Sequence, residues 1–200
     1  MSSINTALVA QPEQVQVVRV VPCNMKFSLK SILVFGFALA TSAACLAFCF
    51  SYQSDFDAMV KGQLKGTVPL MSVDELKKNT ESAKDIYVLD AREYAEFKVS
   101  HIYGAKHVGY ENFSSFLVSG LDKSKTVVVY CSIGVRSERI GEQLLSLGFT
   151  KVYNLFGGVF KWVNQGYPLV DQNGKLTTHV HPYNRRWGKW LTKGVQDYGK

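Results

Sequence analysis

Five residues, Thr126–Tyr130 (TVVVY), constrain this chain more than any others. A strand with water on one face alternates apolar and polar side chains. This one is apolar at every position after its threonine, so both faces must be covered. Such a strand belongs in the middle of a parallel sheet, whose crossovers place helices on either side. The neighbouring sequence agrees. "MSVDELKK" offers Ser72 as a helix N-cap with Glu75 three residues on. "DIYVLDAR" reads as a short strand ending in charge, "EYAEFKVSH" carries helical spacing, and "GAKHVGY" reads as a second short strand. "YENFSSFLVSG" reads as a helix closed by Gly120. Beyond the central strand, "SERIGEQLLSLGF" places Ile140, Leu144, Leu145 and Leu147 on one side and stops at Gly148. "KVYNL" is another strand, and "GGVFKWVNQGYPLV" supplies a Gly-Gly turn, a short helix and an exit. Strand and helix alternate over residues 72–172. The prediction is an α/β domain in three layers, a mostly parallel central sheet with helices on both faces.

The flanks are different in kind. Residues 1–30 are a basic segment containing Arg19, Lys26 and Lys30, and Ser31–Phe50 follows without one charged residue. Twenty residues at about 1.5 Å each span about 30 Å, the thickness of a bilayer core, so one N-terminal transmembrane helix is predicted. Positive charge ahead of it favours an inside N-terminus and a domain on the exported, extracytoplasmic side. The same stretch also reads as a signal segment starting at Met25, cut after Ala44 in a secreted form or lipidated at Cys45. Residues 51–71 read as a linker with a short amphipathic stretch. Residues 173–200 form a basic aromatic extension in which Arg185, Arg186, Lys189, Lys193 and Lys200 face only Asp197. The chain carries a formal net charge of +7, yet no nucleic-acid motif accompanies it. The extension is expected to be a solvated helix packed on the domain through Trp187 and Trp190.

Of the four cysteines, Cys23, Cys45 and Cys49 precede the domain and only Cys131 lies in it. An internal disulfide and a thiolate zinc cluster are therefore excluded there, and the reading calls for no metal and no cofactor. "HVH" at His179 and His181 lacks a third ligand nearby. A lone thiol is packing or chemistry. Cys131 stands at the carboxyl end of the central strand, where ligands bind in such sheets, and a helix begins at about Ser137. The intervening loop turns N–H groups inward and adds the positive end of a helix dipole, which stabilises a thiolate. Gly134 permits tight curvature and Arg136 adds a fixed charge with a forked donor set. Cys131 is thus the candidate nucleophile, and Ser132, Ile133, Gly134, Val135, Arg136 and Ser137 the candidate substrate-binding residues. Ser137 is also the expected N-cap of the helix. Asp90 with Arg92 reads as an internal ion pair, His101 and Trp162 as structural, and Gly157 and Gly158 as a point of close backbone approach.

Three motifs resemble the rhodanese-like domains over about Ser72–Val170. They are the loop Cys131–Ser137, the string "LDAREYAEFKVSHIYGA", and "NLFGGVFKW". The resemblance implies the rhodanese-like fold and sulfur transfer by a ping-pong route through a persulfide on Cys131. Its substrates would be a small sulfur donor such as thiosulfate and a thiol or cyanide acceptor, with a protein persulfide acceptor as a further partner. In the related phosphatases and arsenate reductases five residues intervene between the cysteine and the arginine. Here four intervene, and the smaller loop resembles the sulfur-transferring branch. A membrane-tethered module that binds or relays persulfide without turnover is the competing non-enzymatic reading.

Overall fold

A computed structural model of the chain describes residues 51–82 and 85–199. The expected transmembrane or signal segment, residues 31–50, and the basic segment before it lie outside the described residues. Among the described residues no helix is long and apolar enough to cross a membrane.

The sheet is built around β4 (Thr126–Tyr130). Its strands run β1 (Leu70–Met71), β5 (Lys151–Leu155), β4, β2 (Ile86–Asp90), β3 (Lys106–His107), and every neighbouring pair is parallel. Register aligns Leu89, Val129 and Asn154 in one row, which brings the carboxyl ends of three strands together. The expected two-sided burial of β4 is realised residue by residue. Val128 and Tyr130 enter one core cluster with Phe56, Val159 and Phe160. Val127 and Val129 enter the opposite cluster with Ile140 and Leu144. All four of these β4 side chains are 0% exposed. Burial of each valine is worth about 1.5–3 kcal/mol. Helices α2 (Val73–Glu81) and α5 (Gly158–Asn164) contribute to the first cluster, and α4 (Val135–Ser146) covers the second. At the start of α2, Ser72 Oγ accepts a hydrogen bond from the Glu75 N–H at 3.1 Å, as its sequence predicts.

Three expectations need correction. Residues 51–71 are no linker. Residues 51–63 are helical (α1), and Phe56 and Val60 are 0% exposed within the first cluster. Asp57 on α1 pairs with Lys161 on α5 at 2.8 Å, and β1 completes the sheet. An amphipathic stretch beside an apolar sheet face lowers its free energy by docking there. Second, residues 110–120 hold only a 3₁₀ turn, Ser115–Val118, with Phe116 82% exposed. Ser114 Oγ accepts from the Phe116 N–H, a local bond that competes with helical pairing. Third, the extension contains one helical turn, α6 (Arg185–Gly188), among two small sheets. These are the antiparallel pair β6 (Leu169–Val170) with β7 (Leu176–Thr177), and the parallel pair β8 (His179–Val180) with β9 (Val195–Gln196). Its tryptophans do pack on the domain, both against the first cluster. Tyr52 on α1 donates its hydroxyl proton to the Lys189 carbonyl at 2.6 Å, so the two flanks meet.

Several structural readings hold. Arg92 and Asp90 form an ion pair at 2.6 Å with both side chains 0% exposed, and Arg92 also donates to the Ser100 carbonyl at 2.6 Å. His101 stacks on Phe97 at 3.8 Å between centroids, and its backbone bridges to Val170. Trp162 is 3% exposed and donates Nε1–H to the Pro168 carbonyl at 2.9 Å.

Candidate active site

β4 delivers Cys131 to the sheet's carboxyl edge, and the chain turns at once into α4. The helix is capped by Gly134, at φ 119°, and begins at Val135. Ser137, expected as the cap, lies inside the first turn and is fully buried. The reason is the glycine: its left-handed conformation reverses the chain three residues earlier than a serine cap would. The turn aims the Gly134 N–H at Cys131 Sγ, 3.2 Å away.

Two neighbouring elements hold this loop. Asn154 of β5 donates Nδ2–H to the Gly134 carbonyl at 2.9 Å, and its Oδ1 accepts from the Ser137 hydroxyl at 2.8 Å. From below, the first turn of α5 donates to the loop carbonyls, Val159 N–H to Cys131 at 2.9 Å and Phe160 N–H to Ser132 at 3.1 Å. This contact requires the close approach expected of Gly157 and Gly158. A Cβ at Gly158 would stand 2.3 Å from the Cys131 carbonyl oxygen.

The electrostatics favour a thiolate. Burial pushes the Cys131 thiol up, but the Arg136 charge and hydrogen bonds from Ser137 and Gly134 outweigh it and hold the thiol below its ordinary value. Arg136 does not stand free. Its two terminal nitrogens fork onto Glu96 at 2.7 and 2.9 Å, and Nη2 also donates to Ser132 Oγ at 3.0 Å. Glu96 lies on α3 (Tyr94–Val99), is 3% exposed, and accepts the Glu93 N–H at 3.0 Å to close a capping box. Burial pushes its carboxyl up, and the Arg136 fork pulls it further down, to below the usual carboxylate range. The forked donor set of Arg136, placed by its sequence at a candidate substrate-binding position, is closed on a carboxylate in this structure.

A cavity of about 210 Å³ opens above the sulfur. Cys131, Ser132, Ile133, Val135 and Arg136 line it. Gly134 and Ser137 do not line it and act on the sulfur from beneath. Gln63 of α1 and Tyr183 and Trp187 of the extension complete the wall. A larger groove of about 540 Å³ runs between Tyr167 and Lys193, and Cys131 does not line it. Its His179 is paired with Asp197 at 2.9 Å. Among the described residues no group of three His, Cys, Asp or Glu side chains is placed to hold a metal.

Sequence reasoning missed Glu96, Asn154, Gln63, Tyr183 and Trp187. Two left a signal. Asn154 is a polar residue inside the apolar strand KVYNL, and Glu96 sits three residues after Glu93 in the spacing of a capping box. The other three come from flanks whose docking no local pattern announces.

Comparison with known proteins agrees with this geometry. Residues 72–165 match the rhodanese-like domain family. The chain is 32% identical over 90 residues to the thiosulfate sulfurtransferase GlpE of Coxiella burnetii, covering 45% of this chain and 82% of the relative. It is 38% identical over 87 residues to the tRNA uridine(34) hydroxylase of Cytophaga hutchinsonii, covering 41% of this chain but 28% of that one. In structure it resembles the BH2092 protein of Bacillus halodurans, with a TM-score of 0.50 and 21% identity, covering 55% of this chain and 82% of the other; that likeness concerns the fold alone. With its parallel sheet, its cysteine loop and these relatives, the chain belongs to the rhodanese-like family.

Proposed function

We propose that this protein is a sulfurtransferase that carries a sulfane sulfur on Cys131. The observation that carries the reading is the thiol at the strand end, held below its ordinary pKa with the Gly134 N–H 3.2 Å from its sulfur. A thiol whose pKa is lowered ionises more readily and relies less on a general base. It attacks the outer sulfur of a donor such as thiosulfate. A sulfur–sulfur bond forms to Cys131 as the donor's own breaks, and sulfite leaves with the electron pair. An acceptor thiol or cyanide then attacks the outer sulfur of the Cys131 persulfide and regenerates the thiolate. Loop N–H groups stabilise the charge on whichever sulfur is outermost. The thiosulfate sulfurtransferase name of the Coxiella relative supports this chemistry over phosphate-ester hydrolysis, as does the four-residue spacing from Cys131 to Arg136. The rhodanese-like stretch also occurs within a relative named for a different activity, so the test must read the chemistry itself.

With Ser31–Phe50 as a membrane anchor, the domain would stand on the exported side. The uncharged run and the positive charge ahead of it support that placement. Intact-mass measurement after incubation with thiosulfate should show the gain of one sulfur, absent in Cys131→Ser. Subsequent cyanide should remove it as thiocyanate. Sulfur gain without release to any acceptor would instead identify a persulfide-binding module. Phosphate-ester turnover without sulfur gain would refute the proposal.

A further inference from the structure

The cavity above Cys131 is walled partly by residues outside the matched stretch 72–165, namely Gln63, Tyr183 and Trp187. The placement of the two aromatic residues is enforced. Trp187 packs on the core cluster that contains Phe56 and Phe160, and its N–H is capped by Asn184 Oδ1 at 3.1 Å. Among the described residues, Tyr183 alone of the non-glycines has positive φ, at 63°. A bulky side chain occupies that region only where its surroundings over-determine it. Here the Tyr183 N–H donates to His181 Nδ1 at 3.1 Å, and its ring centroid lies 4.7 Å from the Arg136 guanidinium carbon.

The Arg136 charge is paired before any donor arrives. Arg136 is the cation among the lining residues, and Glu96 holds it by two hydrogen bonds. Tyr183 covers the same guanidinium. Apart from Gln63 and Ser132, the remaining walls are Ile133, Val135, Tyr183 and Trp187, which offer apolar surface. A volume of about 210 Å³ suits a small donor.

We propose that this cavity selects a small alkyl persulfide, reacting in its protonated form, over the thiosulfate dianion as sulfur donor. Tyr183 and Trp187 contact the donor's alkyl arm, and Glu96 acts as a positioning residue that withholds Arg136 from an anion. The proposal rests on the sulfur-carrier reading of Cys131. In the transfer, the Cys131 thiolate attacks the outer, proton-bearing sulfur of the persulfide. The new sulfur–sulfur bond forms as the donor's breaks, the electron pair departs on the alkyl thiolate, and the proton stays on the transferred sulfur. One negative charge is present throughout. With thiosulfate three negative charges converge in the same space, and the counter-charge that would offset them is already paired.

The test uses the full chain and follows sulfur gain at Cys131 by mass against time. The donors are thiosulfate and 2-hydroxyethyl persulfide, the latter generated from its symmetric trisulfide by one equivalent of 2-mercaptoethanol, which leaves as the disulfide, with the trisulfide alone as control. The two donors differ in intrinsic reactivity, so the readout is the change in their rate ratio between variants. Glu96→Gln is expected to shift that ratio about tenfold toward thiosulfate, the equivalent of about 1.4 kcal/mol. Tyr183→Ala removes an exposed side chain and tolerates loss of the Glu96 variant to misfolding. It should shift the ratio in the same direction by lowering the persulfide rate. Ratios unchanged in Tyr183→Ala, or moved toward persulfide in either variant, overturn the selection while leaving the carrier reading intact. Failure of both donors to load the wild-type chain overturns the carrier reading itself.

Discussion

Gly158→Ala tests whether the α5 terminus sets the loop. A Cβ there would lie 2.3 Å from the Cys131 carbonyl oxygen and 2.7 Å from the carbonyl carbon and oxygen of Ser132. All three are backbone atoms, so no side chain can swing aside. Gly158 also has φ 53°, a left-handed value that costs an L-residue about 1–2 kcal/mol. Relieving the overlap by backbone movement costs about 1–3 kcal/mol more. The sum, about 2–5 kcal/mol, corresponds to a melting temperature lower by roughly 4–20 °C for a domain of this size. The movement must break or lengthen the bonds from Val159 and Phe160 to the loop carbonyls, which stand at 2.9 and 3.1 Å. Those bonds turn the carbonyls toward α5 and leave the Gly134 N–H facing the sulfur. The variant should therefore also raise the Cys131 thiol pKa. Thermal melts read the first effect. The second is read by Cys131 alkylation rate against pH, located by peptide mass. A stability loss below about 1 kcal/mol with an unshifted alkylation midpoint would refute the reasoning.

Three further outcomes are expected. Phe56→Ala should cost about 3–5 kcal/mol in urea unfolding, because Phe56 is fully buried against the sheet; a change within error would restore residues 51–71 to a linker. Arg136→Gln removes the charge that lowers the thiol pKa, so the alkylation midpoint should move up. It also leaves Glu96 buried and unpaired, for a loss of about 3–5 kcal/mol; a downward or unmoved midpoint would contradict the electrostatic account. Because the folded thiol pKa lies below its unfolded value of about 8.5, the native state releases its proton first. The stabilising contribution of Cys131 should then grow as pH rises from the folded value to about 8.5, stay complete above it, and vanish below the folded value. Urea midpoints of wild type and Cys131→Ser across that window check the sign.

The fold was legible where local pattern and tertiary demand coincide. TVVVY implied cover on both faces because a strand alternates sides at every residue, and its valines do divide between two cores. Gly157 and Gly158 were read as close approach, and the short contacts a Cβ at either position would make agree. Where a stretch was short or polar, pattern misled. YENFSSFLVSG carries apolar residues at helical spacing, yet serine hydroxyls bond the local backbone and only one 3₁₀ turn forms. Ser137 has a cap's chemistry, but Gly134 reverses the chain first and Ser137 instead joins Asn154 in the interior.

By itself, the sequence determined the parallel α/β core, the position of the thiol at a strand's carboxyl end, and the glycine and arginine that shape its loop. These follow from periodicity and spacing along the chain, which are local properties. Only the tertiary structure decided that Glu96 occupies the Arg136 fork, that Asn154 anchors the loop, and that α1 and the C-terminal segment close the cavity. Those partners lie 40, 20 and more residues away along the chain. Nothing in a residue's neighbours along the sequence states which distant charge will neutralise it. The nucleophile was written locally, and the surroundings that choose its substrate arise from packing.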